Sequence, residues 1–211
     1  MYTFEEWKKN LIIVRGGGDI ATGTIYKLYQ SRFPVLVLEI ANPSCIRRTI
    51  SFCEAVFDKK VEVEGVTAKR AESLEDAFAI YGQGQIPVMI DENGSMIQEV
   101  QPPVVVDAIL AKRNLGTKIT DAPAVIGVGP GFCAGKDVDA VIETQRGHNL
   151  GRVIYEGEAA PNTGIPGMIG GYAKERVIHA SATGKLHILR QIGEIVEAGD
   201  ILADIEGTPV K

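Results

Sequence analysis

The sequence has few cysteines, no long apolar run and no excess of basic residues, and each absence excludes a class of protein. Its three cysteines, Cys45, Cys53 and Cys133, are too few and too scattered for a disulfide framework. No apolar stretch approaches the ~18 residues needed to cross a membrane. The polar first ten residues lack the apolar core of a signal peptide. We therefore expect a cytoplasmic protein.

The charge balance argues against two kinds of partner. Lys and Arg number 22 against 27 Asp and Glu, which gives a formal net charge of −5 at pH 7. A nucleic-acid-binding domain would carry a basic patch instead, and no run of Lys or Arg favours an anionic membrane surface. We expect neither nucleic acid nor a membrane among the partners.

Glycine is the residue in excess, at 24 of 211 positions against a usual ~7%. The hydrophobic fraction of 45% and the charged fraction of 23% are ordinary for a globular protein, and the length suits one large or two small domains. The glycines cluster behind apolar runs, so the functional signals are expected at these clusters.

The pattern of apolar runs predicts the fold class. Residues 11–14 form an apolar run, residues 16–18 are glycines, residues 20–33 have nearly helical spacing, and residues 35–38 form a second apolar run. This order predicts a βαβ unit with strands buried on both faces. Further apolar runs continue to about residue 140, with a helix expected over 46–56 and a turn at 91–94. We predict a Rossmann-like, doubly wound, mostly parallel α/β sheet.

The composition and pattern of the sequence change after residue 160. Residues 161–175 are rich in Gly and Pro and read as a linker. Residues 176–211 alternate short strands and turns without a helical period. We predict a Rossmann-like cofactor-binding domain over 1–160, the linker over 161–175 and an all-β element over 176–211.

The first glycine cluster has the spacing of a dinucleotide-binding turn. Gly16, Gly18 and Ala21 stand between a strand and a helix, and Glu39 ends the next strand. Such glycines let the backbone approach a pyrophosphate, and the later carboxylate binds a ribose diol. The alternative is a tight turn that needs glycine only for packing. Asp19 argues against an anion, because its charge competes for the same amides or caps the helix itself.

Three arginines near the first cluster offer a charge that could compensate that of Asp19, namely Arg15, Arg47 and Arg48.

The second cluster, residues 125–135, contains Gly129 and Gly131 and is followed by polar residues that predict a ligand crevice. The side chains that favour a phosphate or another oxyanion are Arg146, His148, Asn149 and Arg152. The alternative is a polar loop with a structural histidine.

Several other polar residues have simpler interpretations. Asp137 and Asp139 share a face if they lie on a strand, but two carboxylates are weak evidence for a metal, and we predict none. Cys133 is expected to be a buried, inert thiol rather than a reactive one. Asp91 and Asp107 follow strands and are expected to accept hydrogen bonds from loop amides. No catalytic residue is identified.

Several long strings resemble a known family. They are VRGGGDIATGTIYKLYQSRFPVLVLEI, IRRTISFCEAV, VVVDAILAKRN, VIGVGPGFCAGKDVDAVIETQRGHNLGRVI and NTGIPG. Together they resemble the YqeB-type proteins of selenium-dependent molybdenum hydroxylase systems, and the resemblance runs from about residue 11 to the C-terminus. The first half also looks like the Rossmann-type part of XdhC-like accessory proteins, a likeness of fold.

The resemblance implies an accessory protein for a molybdenum hydroxylase. Its expected partners are the hydroxylase or other maturation proteins, and its expected ligand is NAD(P) or a molybdopterin dinucleotide. The positions that it places at the ligand are Gly16, Gly17, Gly18, Asp19, Thr22, Gly23, Glu39, Asp137, Arg146, Gly147, His148 and Asn149, to which the glycine pattern adds Gly129 and Gly131.

The C-terminal element has a likeness of its own. Residues 193–210 resemble one half of a biotinyl/lipoyl-like barrel-sandwich, without the lysine that carries the prosthetic group. The second half is missing, so we expect either truncation, which we favour, or pairing with another chain. Unpaired strand edges make a homodimer possible.

Three functions remain open from the sequence. The first is a maturation factor that binds a nucleotide or a pterin phosphate at the first glycine cluster. The second is an NAD(P)-dependent oxidoreductase, for which Glu39 favours NAD over NADP and His148 is the one candidate acid or base. The third is a non-enzymatic adaptor.

Overall fold

The computed structural model describes residues 2–211. The chain divides into two compact units, Met1–Asn162 and Thr163–Lys211. The predicted linker over residues 161–175 falls largely inside the second unit. No helix in the described part of the chain is long and apolar enough to cross a membrane.

The first unit is built on one nine-stranded sheet with the strand order β10-β9-β7-β6-β1-β2-β5-β4-β3. The strands are β1 (Ile12–Arg15), β2 (Val35–Glu39), β3 (Lys60–Val63), β4 (Val66–Ala71), β5 (Ile86–Ile90), β6 (Val104–Asp107), β7 (Ala124–Val128), β9 (Ala140–Ile142) and β10 (Val153–Ile154). The seven central strands are parallel, and β3 and β10 are antiparallel edges. Two short strands, β8 (Cys133–Ala134) and β11 (Gly157–Glu158), form a separate ladder.

Helices cover the sheet unevenly. They are α1 (Phe4–Asn10), α2 (Asp19–Gln30), α3 (Ala55–Asp58), α4 (Leu74–Gly82) and α5 (Ser95–Val100), with single 3₁₀ turns at Arg48–Ile50 and Phe52–Glu54. The chain from β6 to β7 and from β7 to β9 contains no helix. The predicted helix over residues 46–56 is wrong up to residue 54, because the two 3₁₀ turns lie there and α3 begins at Ala55.

The core has two layers because strand residues alternate between the two faces of the sheet. On β1, Ile12 and Val14 pack into one cluster and Ile13 into the other. The first cluster includes Ile25 of α2, and the second includes Trp7 of α1. Burial on both faces explains why the central strands read as continuous apolar runs. The prediction of a large, mostly parallel α/β sheet is confirmed.

The second unit is a small antiparallel sheet. Its strands are β12 (Leu186–Ile188), β13 (Ala203–Ile205) and β14 (Thr208–Val210), paired in that order. A 3₁₀ turn at Lys174–Arg176 comes before them. The prediction of a small all-β element is confirmed as a three-stranded antiparallel sheet, whereas its bounds of 176–211 and its likeness to half of a barrel-sandwich stay predictions.

Candidate functional site

The carboxyl ends of the parallel strands lie at one edge of the sheet, and most of the predicted site residues follow them. β1 ends at Arg15, and β2 ends at Glu39. β6 ends at Asp107, and Gly129 follows the end of β7. Loops at this edge form the ligand crevice of open α/β sheets, so we take this edge as the candidate site.

Two of the first three glycines are required for packing. Gly16 has φ +89°, and a Cβ atom there would lie 2.9 Å from the Cα atom of Ile109. A Cβ atom on Gly17 would lie 3.0 Å from the backbone nitrogen of Cys53. Side chains at these two positions would push apart neighbouring backbone segments, so the packing interpretation explains both glycines.

Gly18 is different, because packing does not require it. Its backbone is extended, with φ −63° and ψ 177°, a conformation open to any residue. A Cβ atom there would meet nothing within 4 Å. Gly18 is the N-cap of α2, and no side chain caps the helix. The space in front of the helix is therefore open.

The backbone amides at the start of α2 are unpartnered. Thr22 donates its backbone N–H to the Gly18 carbonyl at 2.8 Å, the first hydrogen bond of the helix. The four preceding amides, those of residues 18–21, have no acceptor within residues 2–211. Free N–H groups and the helix dipole together favour an anion at this position.

Asp19 does not occupy these amides. Its carboxylate forms an ion pair with the Arg47 guanidinium, and no cap hydrogen bond from the Asp19 side chain is present. The expectation that Asp19 caps the helix is therefore wrong. Of the three arginines named from the sequence, Arg47 is the one that compensates the Asp19 charge.

Glu39 is tied to the glycine loop. Its Oε1 atom accepts the backbone N–H of Gly17 at 2.6 Å, and its Oε2 atom accepts that of Ile40 at 3.0 Å. Burial raises the pKa of the Glu39 carboxyl and outweighs the two backbone hydrogen bonds, which lower it. Each carboxylate oxygen thus accepts one backbone N–H, which fixes the orientation of the Glu39 side chain beside the glycine loop.

Thr22 connects the glycine loop to the segment before α3. Its hydroxyl donates to the Gly17 carbonyl at 3.1 Å and accepts the backbone N–H of Phe52 at 2.9 Å. Cys53 also donates its backbone N–H to the Gly17 carbonyl, at 2.8 Å. Thr22 thus holds the loop in shape, whereas Gly23, one residue further along α2, faces open space.

A buried polar network lies directly before the glycine loop. The Arg15 Nη1 atom lies 2.5 Å from the Thr117 hydroxyl and 3.4 Å from Asp107 Oδ2. Thr117 donates to the same Oδ2 atom at 2.5 Å, and Asp107 Oδ1 accepts the backbone N–H of Ile109 at 3.2 Å. Arg15 therefore fixes the end of β1 to the end of β6 and is not available to a ligand.

The two strand-end aspartates accept loop amides, as predicted. Asp91 accepts the backbone N–H groups of Ser95 and Met96 at 3.0 and 2.8 Å and thereby starts α5. Asp107 accepts one such bond beside its buried ion pair with Arg15. Both carboxylates thus have a structural role at the ends of their strands.

The second glycine cluster is packed against its neighbours. A Cβ atom on Gly129 would lie 2.8 Å from Leu110 Cδ1, and one on Gly131 would lie 2.7 Å from backbone atoms of Arg113. Both glycines have positive φ, +82° and +115°. Their conformation and their close contacts account for glycine at both positions without a ligand.

Asp137 and Asp139 lie away from the glycine loop. The Asp139 carboxylate accepts the backbone N–H of Val125 at 2.7 Å, close to the amino end of β7. Asp137 accepts the backbone N–H of Cys133 at 2.9 Å, in the turn before β9. Among residues 2–211, no three His, Cys, Asp or Glu side chains come together as a metal-ligand set.

The polar segment with His148 forms the connection between β9 and β10. Arg146, Gly147, His148 and Asn149 are all exposed. The segment leaves the same sheet edge as the glycine loop, but three strand spacings separate β9 from β1, roughly 14 Å. The structure thus brings residues 16–19, 22 and 39 together and leaves this second group apart.

Glu143 anchors the base of that connection. It is buried and accepts the backbone N–H groups of Gln145 and Ala160 at 2.7 and 2.8 Å. Burial raises the pKa of Glu143, but hydrogen bonds from Ala160, Gln145 and Thr144 outweigh it and hold the pKa below its usual range.

We expect Glu143 to stabilise the fold at neutral pH and to lose this effect in acid. A lowered folded-state pKa gives stability that is present above the unfolded-state pKa and is lost as the pH falls through the folded-state value. The free energy of unfolding of Glu143→Gln should lie below that of the wild type at pH 7. The difference between the two free energies of unfolding should disappear as the pH falls below the ordinary pKa range of glutamate. Glu156→Gln, at an exposed position, is the control. A difference in free energy of unfolding between Glu143→Gln and the wild type that does not depend on pH would contradict a lowered pKa of Glu143.

The strand order of the sheet makes this chain a mostly parallel α/β protein. The unpartnered amides at the start of α2 give it a candidate anion site. Over 201 residues it is 49% identical to "Uncharacterized protein YqeB" of Escherichia coli (strain K12). The match covers 95% of this chain and 37% of that protein, so the chain spans little more than a third of the relative's length. No family model and no solved structure matches the sequence.

Proposed function

We propose that this protein is an accessory protein for the maturation of a selenium-dependent molybdenum hydroxylase. In this role it binds a nucleotide or a molybdopterin-type ligand through phosphate oxygens in front of α2. The observation that carries the proposal is the set of unpartnered amides at residues 18–21, which face open space at Gly18. The hydroxylase context rests on the sequence resemblance.

The free amides at the start of α2 favour the binding of a phosphate group. The free N–H donors lie at the amino end of α2, and the aligned peptide dipoles place partial positive charge there. Gly18 has no side chain to keep a pyrophosphate away from these donors. A nucleoside diphosphate, NAD and a molybdopterin dinucleotide share this group, so the loop recognises a class of ligand.

An NAD-dependent oxidoreductase is less well supported. The Glu39 carboxylate, which would bind the ribose diol, is engaged by Gly17 and Ile40. His148, the one candidate acid or base, is exposed on a connection three strand spacings from the glycine loop. An exposed histidine on a loop is therefore the single side chain offered as an acid or base, which is weak support for hydride transfer.

A non-enzymatic adaptor is the second candidate, and a feature of the second unit favours it. In Thr163–Lys211, Ala203 and Ile205 are the buried apolar side chains. Large apolar side chains such as Ile195 and Met168 are exposed to 94% and 73%. Exposed apolar surface of this extent is typical of protein contacts, with the hydroxylase or another maturation protein as the expected partner.

Native mass spectrometry and thermal unfolding separate these functions. A co-purified phosphate-bearing molecule, or a raised Tm with ADP or a molybdopterin dinucleotide, supports the accessory function. A ligand at a hundredfold its Kd adds about 2.7 kcal/mol, which is roughly 5–11 °C for a chain of this size. NAD turnover supports the oxidoreductase. No response to any of these ligands, together with capture of a hydroxylase subunit, supports the adaptor.

Asp19→Asn is expected to strengthen anion binding. The substitution removes a negative charge from the first turn of α2 and releases Arg47 from its ion pair. A charge at a helix terminus is worth about 0.3–1 kcal/mol, so affinity for ADP should rise about two- to fivefold. Isothermal titration at low and high salt measures the change, which salt should reduce. Arg47→Gln, the matched control, should weaken binding, and weaker binding by Asp19→Asn would contradict this prediction.

A further inference from the structure

A cavity of about 380 Å³ opens at the carboxyl ends of β4 and β5. Ala71, Leu74 and Met89 form the buried part of its lining. These three residues belong to the core cluster that contains Trp7, whereas Ile25 of α2 belongs to the other cluster. The cavity therefore lies on the face of the sheet opposite α2. Small-molecule sites have volumes of about 300–1,000 Å³, so the cavity is large enough for a small ligand.

Two methionines make the apolar surface of the cavity adaptable. Met89 comes from the end of β5, and Met96 comes from α5, where it is partly buried. Ile90, also partly buried, completes this side of the lining. Methionine is unbranched and has a polarisable sulfur, so it fits apolar groups of irregular shape. This surface favours a ligand with an apolar body.

The rim of the cavity carries negative charge. Glu72, Glu75 and Glu99 line it and are exposed, and among the described residues no Lys, Arg or His lines the cavity. The Arg70 Nε atom lies 2.9 Å from Glu72 Oε1 and compensates the charge of that carboxylate. Within residues 2–211, Glu75 and Glu99 form no ion pair. Two carboxylates at the rim are thus uncompensated.

The two helices that begin beside the cavity are capped by side chains of the protein itself. The Ser73 hydroxyl accepts the backbone N–H of Asp76 at 3.1 Å, and the Asp76 carboxylate accepts that of Glu72 at 3.0 Å. The Asp91 carboxylate accepts two amides at the start of α5. An anionic ligand would therefore meet carboxylates and capped helix starts, which disfavour it.

We propose that this cavity binds a small organic cation, namely a primary ammonium compound with an apolar body. The apolar body packs against Met89 and Met96, and the ammonium group donates hydrogen bonds to Glu75 and Glu99. Charge complementarity selects this occupant, because uncompensated carboxylates beside an apolar surface match a positive charge joined to an apolar group. The site is separate from the anion site in front of α2 and does not depend on it.

NMR of the methionine methyl groups tests the proposal on the full chain. The sequence has four methionines, and Met89 and Met96 line the cavity, whereas Met168 lies in the second unit. Phenethylammonium should shift the resonances of Met89 and Met96 and leave that of Met168 in place. Met89→Leu and Met96→Leu assign the two signals. An equal shift at Met168, or no shift at the two cavity methionines, would overturn the proposal.

Three matched ligands separate the charge from the apolar body. 2-Phenylethanol has no charge, 3-phenylpropionate has a negative charge, and methylammonium has no apolar body. Each should shift the Met89 and Met96 resonances only at concentrations several-fold above those needed for phenethylammonium. If 2-phenylethanol binds as tightly as phenethylammonium, the cavity has no preference for a cation, and the proposal is wrong.

Substitutions at the rim test the role of the carboxylates. Glu75→Gln and Glu99→Gln should each weaken phenethylammonium binding about two- to fivefold, which is the range for an exposed ion pair, and should leave 2-phenylethanol binding unchanged. Glu62→Gln, at an exposed position on β3, is the matched control. Wild-type affinity in both rim variants would overturn the proposal. Gly18→Val should bind phenethylammonium like the wild type, so a failure of the anion site leaves this test intact.

Discussion

Gly18→Val is expected to abolish stabilisation by ADP or a molybdopterin dinucleotide without unfolding the protein. The extended backbone at Gly18 accepts a β-branched residue, and its Cβ position is empty. The valine side chain would stand in front of the free amides, where the phosphate is proposed to bind. The ligand-free Tm should change by no more than a few degrees, while the shift of about 5–11 °C in saturating ligand is lost.

Two other glycines supply controls for this result. Gly82→Val adds the same volume at the end of α4, where the Cβ position is also empty, and should leave the ligand response intact. Gly17→Val should lower the ligand-free Tm, because its Cβ would lie 3.0 Å from the Cys53 nitrogen. A wild-type ligand response in Gly18→Val would contradict an anion site at this helix start.

The central sheet was predictable because its strands are buried on both faces. Runs such as residues 11–14, 35–38 and 86–90 are continuous in apolar residues, and each overlaps a parallel strand. A run of four or five apolar residues between turn signals is too short for a helix and fits a buried strand. The mixed α/β class with a large, mostly parallel sheet follows from this pattern.

Local side-chain hydrogen bonds account for the elements that the pattern did not predict. Over residues 46–56, Ser51 donates to the Arg47 carbonyl, and 3₁₀ turns replace the expected helix. At residues 91–94 the sequence indicates only a turn. The Asp91 carboxylate then accepts two amides and starts the short helix α5. The spacing of apolar residues along the sequence gives no information on such side-chain hydrogen bonds, which compete with the regular helix.

The glycine turn was predictable in position, but the partners of its side chains were not. The glycine spacing places the turn after β1, where the structure has it. Sequence alone could not show that Glu39 accepts the Gly17 amide or that Arg47 pairs with Asp19. These contacts depend on how separate loops converge at one sheet edge. The buried ion pair between Arg15 and Asp107 had one indication in the sequence, an arginine at the last position of the apolar strand β1.

Asp107→Leu is expected to cause the largest loss of stability. Arg15 and Asp107 are almost completely buried, with side-chain exposures of 9% and 2%. Removing the carboxylate leaves the Arg15 guanidinium without its opposite charge and the Thr117 hydroxyl without its acceptor. Loss of one partner of a buried ion pair costs about 3–5 kcal/mol. Urea unfolding should report a loss of this size, and the Tm should fall by roughly 6–20 °C.

A double-mutant cycle shows whether the loss comes from the unpaired charge. Arg15→Met combined with Asp107→Leu removes both charges and fills the space with apolar groups, which is often neutral for a buried pair. The double variant should therefore be more stable than Asp107→Leu alone, although it carries one substitution more. If the two losses simply add, the pair is not coupled. The end of β1 would then be held in place by sheet hydrogen bonds, and Gly16–Gly18 would keep their conformation without Arg15.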